Sequence, residues 1–129
     1  TGYIGGRLVP RLVEAGHAVR VFVRDPDRLR DVPWADDVEV ATGDLQRPHD
    51  VQAALQGIDV LYYLVHSMSS GRDFEVTEER IARTVARVAK EAGVTRIVYL
   101  GGLHPDGPLS RHLRSRKEVG DILLASGVP

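Results

Sequence analysis

Thr1-Gly2-Tyr3-Ile4-Gly5-Gly6-Arg7-Leu8-Val9-Pro10-Arg11-Leu12-Val13-Glu14-Ala15-Gly16-His17-Ala18-Val19-Arg20-Val21-Phe22-Val23-Arg24 is the stretch whose reading decides the fold. Leu8, Val9, Leu12, Val13 and Ala15 follow helical spacing, and Gly16 stands where a helix end takes a left-handed residue, so a helix is expected over roughly Gly5 to Ala15. Ala18 to Arg24 is β-branched-rich and is closed by the turn residues Asp25-Pro26-Asp27, which makes it a strand. Glycines ahead of a helix that leads into such a strand are the layout of a phosphate cradle. They let backbone approach a pyrophosphate while the helix points its first N–H groups and the positive end of its dipole at the anion.

The same alternation continues outward. Val38 to Thr42 reads as a strand closed by Gly43-Asp44, and Val51, Ala54 and Leu55 give a short helix ending at Gly57. Asp59 to His66 is nearly continuous apolar sequence, the pattern of a strand covered on both faces of a parallel sheet. Phe74 to Ala92 carries Ile81, Val85, Val88 and Ala89 on one helical face and stops at Gly93. Arg96 to Leu100 is a further strand, and Leu109 to Ala125 a helix with Leu113, Val119, Ile122 and Leu123 partly inward. Regular exchange of helix and strand predicts an α/β Rossmann-like doubly wound parallel sheet with helices on both faces.

Composition narrows the function classes. With 17 Lys plus Arg against 18 Asp plus Glu, the chain gives no electrostatic reason to expect nucleic acid or an anionic membrane. The count of 0 Cys excludes a disulfide framework, a thiolate metal site and a cysteine nucleophile, in keeping with a reducing, cytoplasmic setting, and no metal site is expected. The apolar run Val60 to Val65 is too short to span a bilayer. At 129 residues one core is enough, and all of 1–129 is read as part of a single domain. The opening within the glycine stretch and the close at Ser126-Gly127-Val128-Pro129, on the approach to another strand, predict that the domain is partial.

Gly2, Tyr3, Ile4 and Gly5 are therefore candidate cofactor-binding positions, although a Gly-x-x-Gly-Gly run alone fits any tight turn before a helix. Arg24 ends the following strand about twenty residues on, where nucleotide folds read the adenosine ribose. Its guanidinium suits a 2′-phosphate and hence NADP, while neighbouring Asp25 leaves NAD open; the structural alternative is a surface arginine paired with Asp25 or Asp27. Asp44, with Leu45 beside it, is placed to accept from an adenine amino group or to cap a turn. His66, at a carboxyl strand end with Ser67 and Met68, borders the nicotinamide side or is a core histidine. His104 reads as loop chemistry.

Several of these motifs, in order, resemble the short-chain dehydrogenases/reductases of the extended or atypical kind, closest to NmrA-like NAD(P)-binding proteins. Thr1-Gly2-Tyr3-Ile4-Gly5 resembles the second half of that family's TGxxGxxG loop, Arg24-Asp25-Pro26 its ribose-side turn, Gly43-Asp44-Leu45 its adenine-side turn, and Leu123 to Val128 its L-x-x-S-G-V. The resemblance implies a further strand between those ending at Arg24 and His66, so that each of these has an unpaired edge here. It also implies a catalytic Ser ahead of Tyr-x-x-x-Lys, a set this chain alters. Alignment puts His112 at the tyrosine position and Arg116 at the lysine position, after Ser115, with Gly101-Gly102 where the serine belongs. A histidine four residues from an arginine on a helix can exchange a proton near neutral pH; the competing register, Leu113 and Lys117, holds no acid, and the plain alternative is a solvated basic face.

Two readings follow: an NADP-preferring oxidoreductase or epimerase-like enzyme acting on a small-molecule substrate, or a non-catalytic NAD(P)-binding redox sensor or assembly protein. A third, polyanion contact through Arg111, Arg114, Arg116 and Lys117, is opposed by the neutral overall charge.

Overall fold

The structure, a computed structural model, describes residues 2–65, 74–100 and 111–129. Among them helices and strands alternate as α1 (Gly2–Glu14), β1 (Arg20–Val23), β2 (Glu39–Thr42), α2 (Pro48–Ala54), β3 (Val60–Tyr63), α3 (Phe74–Ala92), β4 (Arg96–Tyr99) and α4 (Arg111–Leu124). Short 3₁₀ turns at Pro26–Leu29 and Ala35–Asp37 join β1 to β2. Four glycines stop the helices or open the next connection by taking positive φ: Gly16 at 89°, Gly57 at 74°, Gly93 at 82° and Gly127 at 87°. After α1 the His17 N–H reaches back to the Leu12 carbonyl and the Gly16 N–H to that of Val13, the paired bonds of a left-handed helix stop.

One boundary differs in a way that matters. The helix expected from Gly5 begins at Gly2, so the glycines form its first turns and do not precede it as a loop. None of them is among the positive-φ glycines. What they contribute is the absence of side chains around the first N–H groups, which have no intrahelical acceptors.

β1 pairs with β2 in parallel, Val21 opposite Val40, and β3 pairs with β4 in parallel, Leu61 opposite Ile97. Among the described residues β1 and β3 are not paired with each other. Alternation sorts the side chains. Val21 and Val23 turn to one face of β1 and are buried with Val9 of α1, Leu29 and Trp34. Arg20 projects from the opposite face and donates to the carbonyls of Ala54 and Gln56 at the end of α2, at 2.9 and 2.7 Å. Helices therefore lie on both faces of this pair.

The larger core joins Val51 and Leu55 of α2, Tyr63, Ile81, Val85, Val88 and Ala89 of α3, and Val119 and Leu123 of α4. Leu61, Ile97 and Tyr99 pack against it from the inner face of β3 and β4, while Val60, Tyr62 and Val98 on the outer face remain exposed. The fold is a Rossmann-like α/β arrangement of parallel strand pairs and helices, a kind of sheet that takes ligands at the carboxyl ends of its strands.

Candidate functional site

The carboxyl end of β1 delivers Arg24 and that of β2 delivers Gly43-Asp44-Leu45. A bond from the Gly43 N–H to the Val23 carbonyl, 3.1 Å, holds these two exits side by side. Arg24 is exposed and, among the described residues, takes part in no ion pair. The acids that sequence offered as its partners are engaged elsewhere. Asp25 accepts from the Asp27 N–H at 3.0 Å as the cap of the Pro26–Leu29 turn, and Asp27 pairs with Arg30 at 3.1 Å.

Asp44 is held on three sides. Its N–H donates to the Asp50 carboxylate at 2.9 Å, its Oδ1 accepts from the Gln46 N–H at 2.9 Å, and its carbonyl accepts from the Arg47 N–H at 2.9 Å. Gly43 is required here by space: a Cβ would lie 2.8 Å from that of Asp50. The turn-capping reading of Asp44 is thus realised, and a carboxylate with further lone pairs keeps acceptor capacity for a ligand. Leu45 is half-buried against the larger core.

Gly2 and Gly5 lie in the first turns of α1 with Tyr3 and Ile4 between them, the side chains of the latter two being outside the described set. His66, Ser67, Met68, Gly101, Gly102 and His104 lie outside the described residues. His112 is a position in the first turn of α4, its side chain likewise outside them, and Arg116 is one turn further on, partly exposed.

The structure also brings together four residues to which the sequence reading assigned no role of their own. Tyr63 and Tyr99, the last residues of β3 and β4, are register partners whose rings meet edge to face at 5.8 Å. Glu78 of α3 and Ser115 of α4, 8% and 3% exposed, share a 2.6 Å hydrogen bond in which the serine hydroxyl donates. The Tyr99 hydroxyl donates to the Arg116 carbonyl at 2.9 Å. Burial pushes the Tyr63 phenol well above its ordinary range, with the charge of Glu78 and then Tyr99 adding to the rise. Burial also raises Tyr99; the Arg116 guanidinium opposes that and Glu78 reinforces it.

A periodic signal for this cluster exists. Glu78 precedes Ile81 by three and Val85 by seven, and Ser115 precedes Val119 by four and Leu123 by eight. Each is a polar residue set on an apolar helical face. An open groove of about 490 Å³ between α3 and α4 is lined by Arg83, Arg87, Asp121 and Ser126 among others, and none of Tyr63, Glu78, Tyr99 and Ser115 lines it. Among the described residues no helix is long and apolar enough to cross a membrane.

A family model for NAD(P)H binding matches residues 1–126. The chain is 32% identical over 123 residues to sterol demethylase protein B of Methylococcus capsulatus, covering 87% of this chain and 37% of that protein. It is 31% identical over 111 residues to an NAD(P)H azoreductase of Xenophilus azovorans, covering 84% and 36%. In structure it resembles the triphenylmethane reductase of Citrobacter sp. in complex with NADP(H), with a TM-score of 0.77 at 22% identity, over 99% of this chain and 44% of that one. The chain thus spans well under half the length of these relatives. With the parallel strands, the glycine-started helix and the family match over nearly its whole length, the chain belongs to the NAD(P)H-binding family, with a Rossmann-like fold.

Proposed function

We propose that the protein is an NADP-preferring oxidoreductase or epimerase-like enzyme acting on a small molecule in a cytoplasmic setting. The observation that carries this reading is the exposed Arg24 at the exit of β1, without an ion-pair partner among the described residues and beside the fixed Gly43-Asp44 turn. A guanidinium so placed can receive a 2′-phosphate through paired charge-assisted bonds. The α1 N-terminus, from Gly2 through Gly5, would take the pyrophosphate, and Asp44 with Leu45 would border the adenine. Asp25, already used as a turn cap, is a weaker competitor for a ribose hydroxyl.

When bound, the cofactor supplies the hydride. The chain's own part is to hold it and to move a proton, for which His112 and Arg116 of α4 are the candidates. A non-catalytic NAD(P)-binding sensor is the second reading, and the altered Tyr-x-x-x-Lys set at His112 and Arg116 favours it. Calorimetric titration of the purified protein with NADPH and NADH, wild type against Arg24→Ala, tests the shared premise. Loss of paired bonds to a phosphate should weaken NADPH about 10- to 100-fold and leave NADH nearly unchanged. Equal weakening of both nucleotides would refute the 2′-phosphate contact.

A further inference from the structure

A carboxylate buried in an apolar core is costly to keep, and it must be satisfied by the groups around it. Glu78 is such a group, and one bond that it receives comes from Ser115. The neighbouring residue, Arg116, is held by a different element: its carbonyl accepts from the Tyr99 hydroxyl of β4. Two consecutive residues of α4 are therefore anchored to two separate supports, α3 and the end of β4. Apolar contacts such as those of Val119 and Leu123 are non-directional and tolerate a small slide or rotation of a helix. Hydrogen bonds at 2.6 and 2.9 Å do not, because they weaken steeply with misalignment.

Gly120 adds to the arrangement. It lies one turn beyond Arg116, and a Cβ there would stand 3.3 Å from Cε2 of Tyr99, so the missing side chain is what lets the tyrosine ring lie across the helix and reach the Arg116 carbonyl. Tyr99 is in turn braced edge to face by Tyr63, its partner across the strand pair. All of this stands at the carboxyl ends of β3 and β4, whereas Arg24 and Asp44 follow the strands of the other pair.

We infer that Tyr99 and the Glu78–Ser115 pair are positioning residues. They fix the axial placement of the α4 turn that carries Arg116, and through it the seat of the cofactor's nicotinamide end. The inference rests on the cofactor reading above. It predicts an effect confined to one half of the cofactor.

The test compares Tyr99→Phe, Ser115→Ala and Ser115→Thr with wild type, using calorimetry with 2′,5′-ADP and with NADPH, and the emission of bound NADPH, which reports the surroundings of the nicotinamide ring. Tyr99→Phe and Ser115→Ala should weaken NADPH about three- to tenfold, the fold-change of one net hydrogen bond, and should shift the emission of bound NADPH. Affinity for 2′,5′-ADP, which lacks the nicotinamide, should stay within about twofold of wild type. Ser115→Thr, which keeps the hydroxyl, should restore both signals. Wild-type NADPH affinity and emission in Tyr99→Phe and Ser115→Ala would overturn the inference and leave the cofactor reading standing. Parallel weakening of 2′,5′-ADP would overturn it too, by showing a general structural effect. A wild type that binds neither ligand would instead bring down the cofactor reading, and this inference with it.

Discussion

Arg20 joins the two halves of the described structure, and its removal can be given a size. Its guanidinium makes three contacts: Nε to Glu39 at 2.9 Å, and one terminal nitrogen to the carbonyls of Ala54 and Gln56 at 2.9 and 2.7 Å. Glu39 is on the strand surface with a side chain 70% exposed, so that ion pair should contribute about 0–1 kcal/mol. The carbonyl contacts weigh more. They satisfy acceptors at the end of α2, where a helix has orphan carbonyls and a negative dipole end, and the Arg20 side chain is only 26% exposed. Two charge-assisted bonds in this partly solvated position should together contribute about 2–3 kcal/mol.

Arg20→Ala is therefore expected to cost about 2–3 kcal/mol, Glu39→Ala under about 1, and Arg20→Lys to fall between them, since an ammonium lacks the planar fork. Urea unfolding followed by the fluorescence of the single tryptophan, Trp34, which is buried against β1, gives the three values. If Glu39→Ala costs as much as Arg20→Ala, or Arg20→Lys costs nothing, the assignment of the stabilisation to the helix-end carbonyls is wrong.

Two further outcomes are open to simple measurement. The Tyr63 phenol is raised in the folded state above its ordinary value of 10.0, so its contribution to stability is complete below that pH and is lost as pH rises beyond it. A decline of up to about 1.4 kcal/mol per pH unit is expected there, and Tyr63→Phe should flatten it in chemical denaturation series run at several alkaline pH values. Gly57 has φ of 74° and no atom within 4 Å of a built Cβ, so Gly57→Ala should cost about 1 kcal/mol from backbone conformation alone. A neutral result in thermal unfolding would show that this turn relaxes freely.

Much of the architecture was legible because its signals are periodic and end sharply. α3 is found at the residues expected, since nineteen residues of regular apolar spacing run to a glycine stop. The parallel direction of the strands followed from the alternation of elements. The start of α1 was misplaced because glycine was read as loop, although glycines at a helix start need only leave its N–H groups uncovered. The turn at Asp25-Pro26-Asp27 was legible from its residue types, whereas its 3₁₀ continuation to Leu29, the turn at Ala35–Asp37 and the burial of Trp34 between them carry no long period and were not anticipated. Arg24 and Asp44 were legible as strand-exit residues, whereas the roles of Asp25 and Asp50 as holders of nearby N–H groups depend on turn geometry that spacing does not encode. Glu78 and Ser115 were hidden for a different reason: each is one polar residue on an apolar stripe, and only packing shows that the two stripes face each other.

The separate burial of Trp34 with β1 and of Tyr63 with β3 has a kinetic meaning. The Trp34 core and the Tyr63 core are tied through the bonds from Arg20 to the end of α2, so the exchange of their amide hydrogens should be linked to the extent that those bonds hold. A dinucleotide whose adenosine rests on one unit and whose nicotinamide rests on the other would couple them, stabilising both by RT ln(1 + [L]/Kd) and making them open together. The cofactor would then add to the coupling that Arg20 already provides, visible as a convergence of the exchange rates of the two cores on titration.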